Sequence, residues 1–261
     1  MTPPRIVSLA CLSLCLSLCL SFCVPAPCPG QSGQDSQSIV ENQRWAAEAR
    51  QALDRQDYKT ALAAADKLAK APASVEFQRV AGDTLLRCGE AKRAIEMFEG
   101  YLAKRPDDRP YLWQLGIAFY FDGKFKAGAE LFEIHREVNP HDVENAAWHF
   151  LCVAKNESPE KAQQLLLPAP NDSRAPMAEV LEMLRSGDPE PVKQRMNSFT
   201  PGTTAAKSAK FYGHFYLGLY ADALGDDATA KQHLTLAAED SPRNYMGDIA
   251  KVYAEYLEKS E

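Results

Sequence analysis

From residue 41 onward, apolar and small residues return at steps of three and four within segments of about a dozen positions, with charged residues between them. That spacing marks one face of a helix, and no strong alternating period competes with it, so helices are predicted and strands are not. The segments themselves return at a longer fixed distance. Gly82 is matched by Gly116, Phe98 by Phe132 and Pro106 by Pro140, each pair 34 residues apart. Gly82, Ala94, Phe98 and Pro106 stand at offsets 0, 12, 16 and 24, and Gly116, Gly128, Phe132 and Pro140 repeat them. Gly218, Ala230, Leu234 and Pro242 do so again, far downstream.

Moved one period earlier, the ruler meets Trp45, Tyr58, Ala61 and Ala65; one period later it meets Trp148, Phe150, Ala162 and Leu166. Five units are thus predicted, at about 41–72, 75–106, 109–140, 143–168 and 211–242. Each reads as two antiparallel helices. Small residues at the glycine and alanine positions let backbones approach, large ones at Phe98, Phe132 and Leu234 fill the space between units, and the closing prolines end the second helix. In the fourth unit Ser158 and Pro159 have the chemistry of a helix N-cap and first-turn proline. Between the fourth and fifth units the ruler fails. Two shorter helices are predicted there, at about Pro176 to Arg185 and Pro189 to Met196, followed by a loop at Thr200 to Thr204. Residues Asn244 to Lys259, with Tyr245, Ile249, Val252, Tyr253 and Tyr256 at helical spacing, read as a C-terminal capping helix.

A 34-residue helical-hairpin period resembles the tetratricopeptide repeat (TPR), over roughly 200 residues of the chain. In the second half, NAAWHFLCVAKNESPEKAQQLLLP, SRAPMAEVLEMLRSGD and FYLGLYADALGDD are similar in order to small exported bacterial TPR proteins, including periplasmic TPR lipoproteins that act as adaptors. The resemblance implies an all-α solenoid with a concave surface, a scaffolding role, export and homodimerisation. It implies binding of other proteins or peptide segments against the first helices of successive units. Transferred to this chain, those positions are Arg50, Asp54, Arg79, Asp83 and Arg87 at a polar, partly basic end. Trp113, Ile117, Tyr120 and Phe121 form an aromatic middle, and Phe215 and Leu219 lie in the last unit. The same aromatics also suit a core, and the arginines also suit a solvated face paired with Asp54 and Asp83. The carboxylate clamp of co-chaperone TPR proteins is not expected, because its Lys and Asn pair is replaced by Ala46 and Arg50, then by Arg79 and Asp83.

The first thirty residues depart from this pattern. One positive charge in Met1 to Arg5 precedes Ile6 to Val24, an uncharged run dominated by Leu, Ser and Cys, and Pro25, Pro27 and Pro29 follow. That is the layout of a secretory signal peptide, with cleavage expected after Ala26 or Gly30; an uncleaved N-terminal anchor is the alternative, and the only membrane contact expected. Pro27 before Cys28 argues against lipidation. Residues 31–40 are Gln-, Ser- and Gly-rich like a flexible linker, so the solenoid is expected to occupy 41–259. The implied location is an exported compartment, periplasmic or secreted.

Five of seven cysteines fall in the leader, leaving Cys88 and Cys152, placed two units apart and expected to stay unpaired. A net charge of −6 with Lys and Arg dispersed among acids leaves no footprint for nucleic acid. No nucleotide loop, GxSxG, HExxH or paired-cysteine zinc pattern is present. His135 and His141, near Glu133, Glu137 and Asp142, are split by Pro140 and read as a repeat boundary; no metal, cofactor or catalysis is expected. The function read from sequence is a non-catalytic scaffold, with an exported ligand- or cell-wall-binding module as the alternative.

Overall fold

In the predicted first unit, Gln31–Asp54 (α1) and Tyr58–Lys70 (α2) form an antiparallel pair, the turn closed by the Asp57 side chain accepting from Thr60 N–H. This computed structural model describes residues 31–259, with side chains from residue 36; the leader and its cysteines lie outside the described residues. Residues 31–40, read from composition as a linker, are helical here as the start of α1. Gln, Ser and Asp are all tolerated in a helix, and composition alone does not forbid one.

Val75–Arg87 (α3) pairs with Ala91–Leu102 (α4). After a 3-10 turn at Pro106–Tyr111, Trp113–Phe121 (α5) pairs with Phe125–Val138 (α6), and Val143–Asn156 (α7) with the short Pro159–Gln164 (α8). Met177–Ser186 (α9) and Glu190–Met196 (α10) are the two expected short helices. Thr204–Ala223 (α11) pairs with Asp227–Glu239 (α12), and Tyr245–Lys259 (α13) ends the described chain. Among the described residues there is no strand. The second helices α4, α6 and α12 stop two to four residues before Pro106, Pro140 and Pro242, as expected where a proline bars its predecessor from helical geometry.

The repeat motif acts by close packing. A Cβ built at Gly116 would lie 2.6 Å from Phe132, the large residue 16 positions on, so the two helices touch through a missing side chain. Phe98, Phe132 and Leu234 are fully buried as that argument requires. Cys88 and Cys152 are both unpaired, the first at the end of α3 and the second buried within α7.

Two features go beyond the ruler. First helices α7 and α11 contact each other directly, with Trp148 and Phe215 ring centroids 6.2 Å apart, and α9 packs against both. The insertion thus continues the stack instead of interrupting it, because α8 is too short to cover α7 alone. The second feature is α13. It packs on α12, as a cap should, but it also reaches α3, near the other end of the stack.

Candidate functional site

Helix α13 packs across the first helices α3, α5, α7 and α11. Its tyrosines do most of the filling. Tyr245 meets Trp113 of α5 edge-on at 4.8 Å between ring centroids, and Tyr253 packs on Tyr120 at 5.4 Å, Phe121 at 5.4 Å and Trp148 at 5.8 Å. Tyr256 adds a contact to Phe121 at 5.3 Å. Such edge and offset contacts are the favoured geometries of aromatic pairs. The turn from α12 into α13 is tight enough that a Cβ at Gly247 would fall 1.9 Å from the Pro242 carbonyl oxygen, so only glycine lets α13 fold back here.

Buried polar groups fasten the helix at two points. Asp222 of α11, 2% exposed, accepts from the hydroxyls of Tyr120 and Tyr253 and pairs with Lys155 Nζ at 2.6 Å. Burial and the neighbouring carboxylate push both tyrosines well above the ordinary phenol range. Near the start of α13, Asp248, 1% exposed, accepts from Tyr58 Oη at 2.7 Å and from Arg87 Nε at 2.8 Å and Nη2 at 2.7 Å. The Arg87 guanidinium also lies 5.1 Å from the centre of the Tyr245 ring.

These contacts revise the groove expected from the repeat positions. Ile117, Tyr120, Phe215 and Leu219 are fully buried, and Trp113 and Phe121 are half-buried against the core. The aromatic middle is therefore occupied by the chain's own last helix, and the residues predicted to meet a partner meet α13 and its neighbours. Periodicity identified the right face but not its occupant. Tyr58, Trp148, Asp222 and Asp248 were missed. The last two carry a legible signal, a lone acid inside an apolar helical stripe (GLYADAL and YMGDIAKVY), which has to find a buried partner.

The polar end remains open. Arg50 of α1 and Arg79, Asp83 and Arg87 of α3 line a cleft of about 240 Å³, floored by Leu53, Val80 and Phe98. Arg50 and Arg79 are exposed; Arg87 divides its charge between Asp248 and Asp83, the latter at 3.8 Å. Burial pushes the Asp83 carboxyl up from its ordinary value, and Arg87 and Arg79 oppose this. Gln114 Oε1, on the same cleft, has no protein partner. The sequence-predicted Arg50, Arg79, Asp83 and Arg87 are thus brought together, and the cleft offers more positive than negative charge. Asp54 does not line it.

Four of the five histidines have partners within the protein. His135 donates from Nδ1 to the Pro110 carbonyl at 2.8 Å, His149 is buried with Nε2 3.3 Å from Glu133, and His214 Nδ1 faces His233 Nδ1 at 2.8 Å. Residues 50–167 match the family model described as Psidin, N-terminal TPR repeats region. No curated protein is significantly similar to the chain.

Proposed function

Because residues 50–167 match a tetratricopeptide-repeat model and the fold is an all-α stack of helical hairpins, an architecture that generally mediates protein–protein interaction and is typically non-catalytic, we propose that the chain is a binding scaffold whose open basic cleft takes an acidic segment of a partner protein. The observation that supports this reading is the cleft of about 240 Å³ between α1 and α3, lined by the exposed Arg50 and Arg79 together with Arg87, whose charge is shared with Asp248 and Asp83. Arg50 and Arg79 thus carry positive charge that no carboxylate lining the cleft among the described residues pairs with. A guanidinium is the side chain best suited to bidentate recognition of carboxylates. With the aromatic middle filled by α13, this end is where a partner segment reaches first helices directly. The leader-like run Ile6 to Val24 supports an exported location, periplasmic or secreted.

Selection from a random peptide display library against the protein lacking residues 1–30 should enrich Asp- and Glu-rich sequences. The double charge reversal Arg50→Glu/Arg79→Glu should abolish that enrichment with the thermal melt unchanged. An unaltered selection would overturn the assignment of the cleft. Protein recovered from the host with its first residue between 26 and 38 would support export, and an intact Met1 on membrane-bound protein would reverse it.

A further inference from the structure

Arg87 belongs to the basic cleft and to the seat of α13 at once. It lines the cleft with Arg50 and Arg79, and it is the cation on which the start of α13 rests. Its Nε and Nη2 both donate to Asp248 Oδ2, at 2.8 Å and 2.7 Å, and its guanidinium lies 5.1 Å from the centre of the Tyr245 ring. The Arg87 side chain is 16% exposed and that of Asp248 1%, so a cleft residue neutralises an acid that has almost no access to water.

Asp248 has two polar partners, Arg87 and the Tyr58 hydroxyl at 2.7 Å, and only the first is charged. A buried carboxylate depends on that charge, because a neutral hydroxyl does not replace it. On the other side of Arg87, Asp83 stands 3.8 Å from Nη1 and belongs to the cleft wall. The guanidinium is therefore already set between two carboxylates of this chain. A third acid that enters the cleft draws on the same guanidinium and repels Asp248 across it, and neither effect is well screened at a site this buried. The far end of α13 is held differently. Tyr253 rests on Asp222, whose cation Lys155 lies 2.6 Å away and is not part of the cleft.

We infer that Asp248 is a built-in competitor for the basic cleft, so that an acidic segment bound there releases the start of α13 from α3. The inference rests on the cleft reading above and adds a regulation to it. Coupling of this kind is reciprocal: docked α13 lowers the affinity of the cleft for acid by the same factor by which the acid loosens α13. A factor of about tenfold is expected, within the usual range for coupled sites. Because only the Asp248 end shares its cation with the cleft, the first turns of α13 lift while Tyr253 stays on Tyr120.

The experiment is amide hydrogen exchange, read by NMR on the unaltered chain with and without saturating hexaglutamate peptide. Amides of residues 249–252, which bond back to the first turn of α13, should exchange about tenfold faster with the cleft filled, while those of 181–184 in α9, which does not touch α13, keep their rate. Asp248→Asn keeps an oxygen for the Tyr58 hydroxyl and removes the competing charge, so it should bind hexaglutamate about tenfold more tightly by calorimetry. Arg50→Glu/Arg79→Glu, which leaves Arg87 on Asp248, should remove both the binding and the faster exchange; a response that survives it arises elsewhere and would overturn the inference. Saturable binding that leaves amides 249–252 unchanged or slower, or equal affinity of the native and Asp248→Asn chains, would also overturn it while the cleft reading stands. No saturable binding to either chain would overturn the cleft reading and the inference with it, whereas binding to Asp248→Asn alone would show the competition at its strongest. The exchange comparison uses the unaltered chain and decides the matter even if Asp248→Asn fails to fold.

Discussion

At the residue scale the clearest departure from repeat logic is Gln56. It occupies the turn between α1 and α2 with φ of 58°, where the matching turns after α3, α5 and α11 place Gly89, Gly123 and Gly225 at φ of 83°, 73° and 74°. A left-handed conformation costs a residue with a Cβ about 1 to 2 kcal/mol, while glycine gives back about 0.5 to 1 kcal/mol in unfolded-chain entropy. Gln56→Gly should therefore raise stability by roughly 0.5 kcal/mol, and Gly225→Gln should lower it, both read from urea midpoints. A loss on Gln56→Gly would mean that the side chain contributes something the turn geometry does not show. The histidine pair gives a pH signature. With Nδ1 facing Nδ1 at 2.8 Å, one ring donates and the other accepts, so the accepting ring has to be neutral and protonating both rings breaks the contact. Burial, His214 and Lys193 push His233 down to about 4; burial and Lys210 also depress His214. The unfolded chain binds these protons near pH 6.5, so stability falls as pH drops through 6.5 and stops falling below about 4. Both rings are partly exposed, and after screening the loss is about 1 kcal/mol. Denaturant titrations at pH 7 and pH 4.5 should show that loss in the native chain and not in His214→Phe/His233→Phe.

At the element scale, α13 is held by complementary charge as well as by rings. Asp248→Ala removes a buried acceptor and leaves Arg87 and Tyr58 facing each other without it. Breaking a buried pair from one side typically costs about 3 to 5 kcal/mol, and Arg87, 16% exposed, recovers part of its hydration, so about 3 kcal/mol is expected. Adding Arg87→Leu should recover some of it, and the double-mutant cycle should give a coupling energy of about 1 kcal/mol or more. Additive losses would show that the pair does not act as a unit. This element also marks the limit of what the sequence shows. The helices at 177–186 and 190–196, the start of α13 and the burial of Phe98, Phe132 and Leu234 all follow from local period, capping and packing, and each is where those rules put it. The destination of α13 is different in kind. Tyr245, Ile249, Tyr253 and Tyr256 announce an apolar face, but amphipathicity does not say which apolar face it meets, and a helix that covers α12 has the same period as one that covers α5 and α7. For the same reason Arg50 and Arg79, which stay exposed, were legible as a polar face, whereas the ties of Arg87 to α13 and the covering of the aromatic middle were not.

At the scale of the whole molecule, α13 changes how the stack holds together. Units of a solenoid touch only their neighbours, and their stability is close to a sum of local terms, so unfolding can start at an end and spread. Here the hydrogen bonds from Tyr58 to Asp248, Arg87 to Asp248 and Tyr253 to Tyr120 join residues 190, 161 and 133 positions apart. The first and second units are thereby tied to the end of the described chain, and a fray at either end has to break contacts in the middle. The described body should therefore unfold in one transition. Truncation after Asn244 removes the tie and uncovers Trp113, Tyr120, Phe121 and Trp148 together, a contiguous aromatic surface. We expect the truncated protein to melt about 10 °C lower, in a broadened or two-step transition, and to bind a fluorescent apolar dye. A synthetic peptide of residues 245–259 added in trans should reverse the dye binding, and its Asp248→Ala version should do so less well. An unchanged, single transition after truncation would reduce α13 to a cap on α12. Rescue by the native peptide would establish that the hollow of this solenoid is a helix-binding groove, filled in the intact chain by its own C-terminal helix.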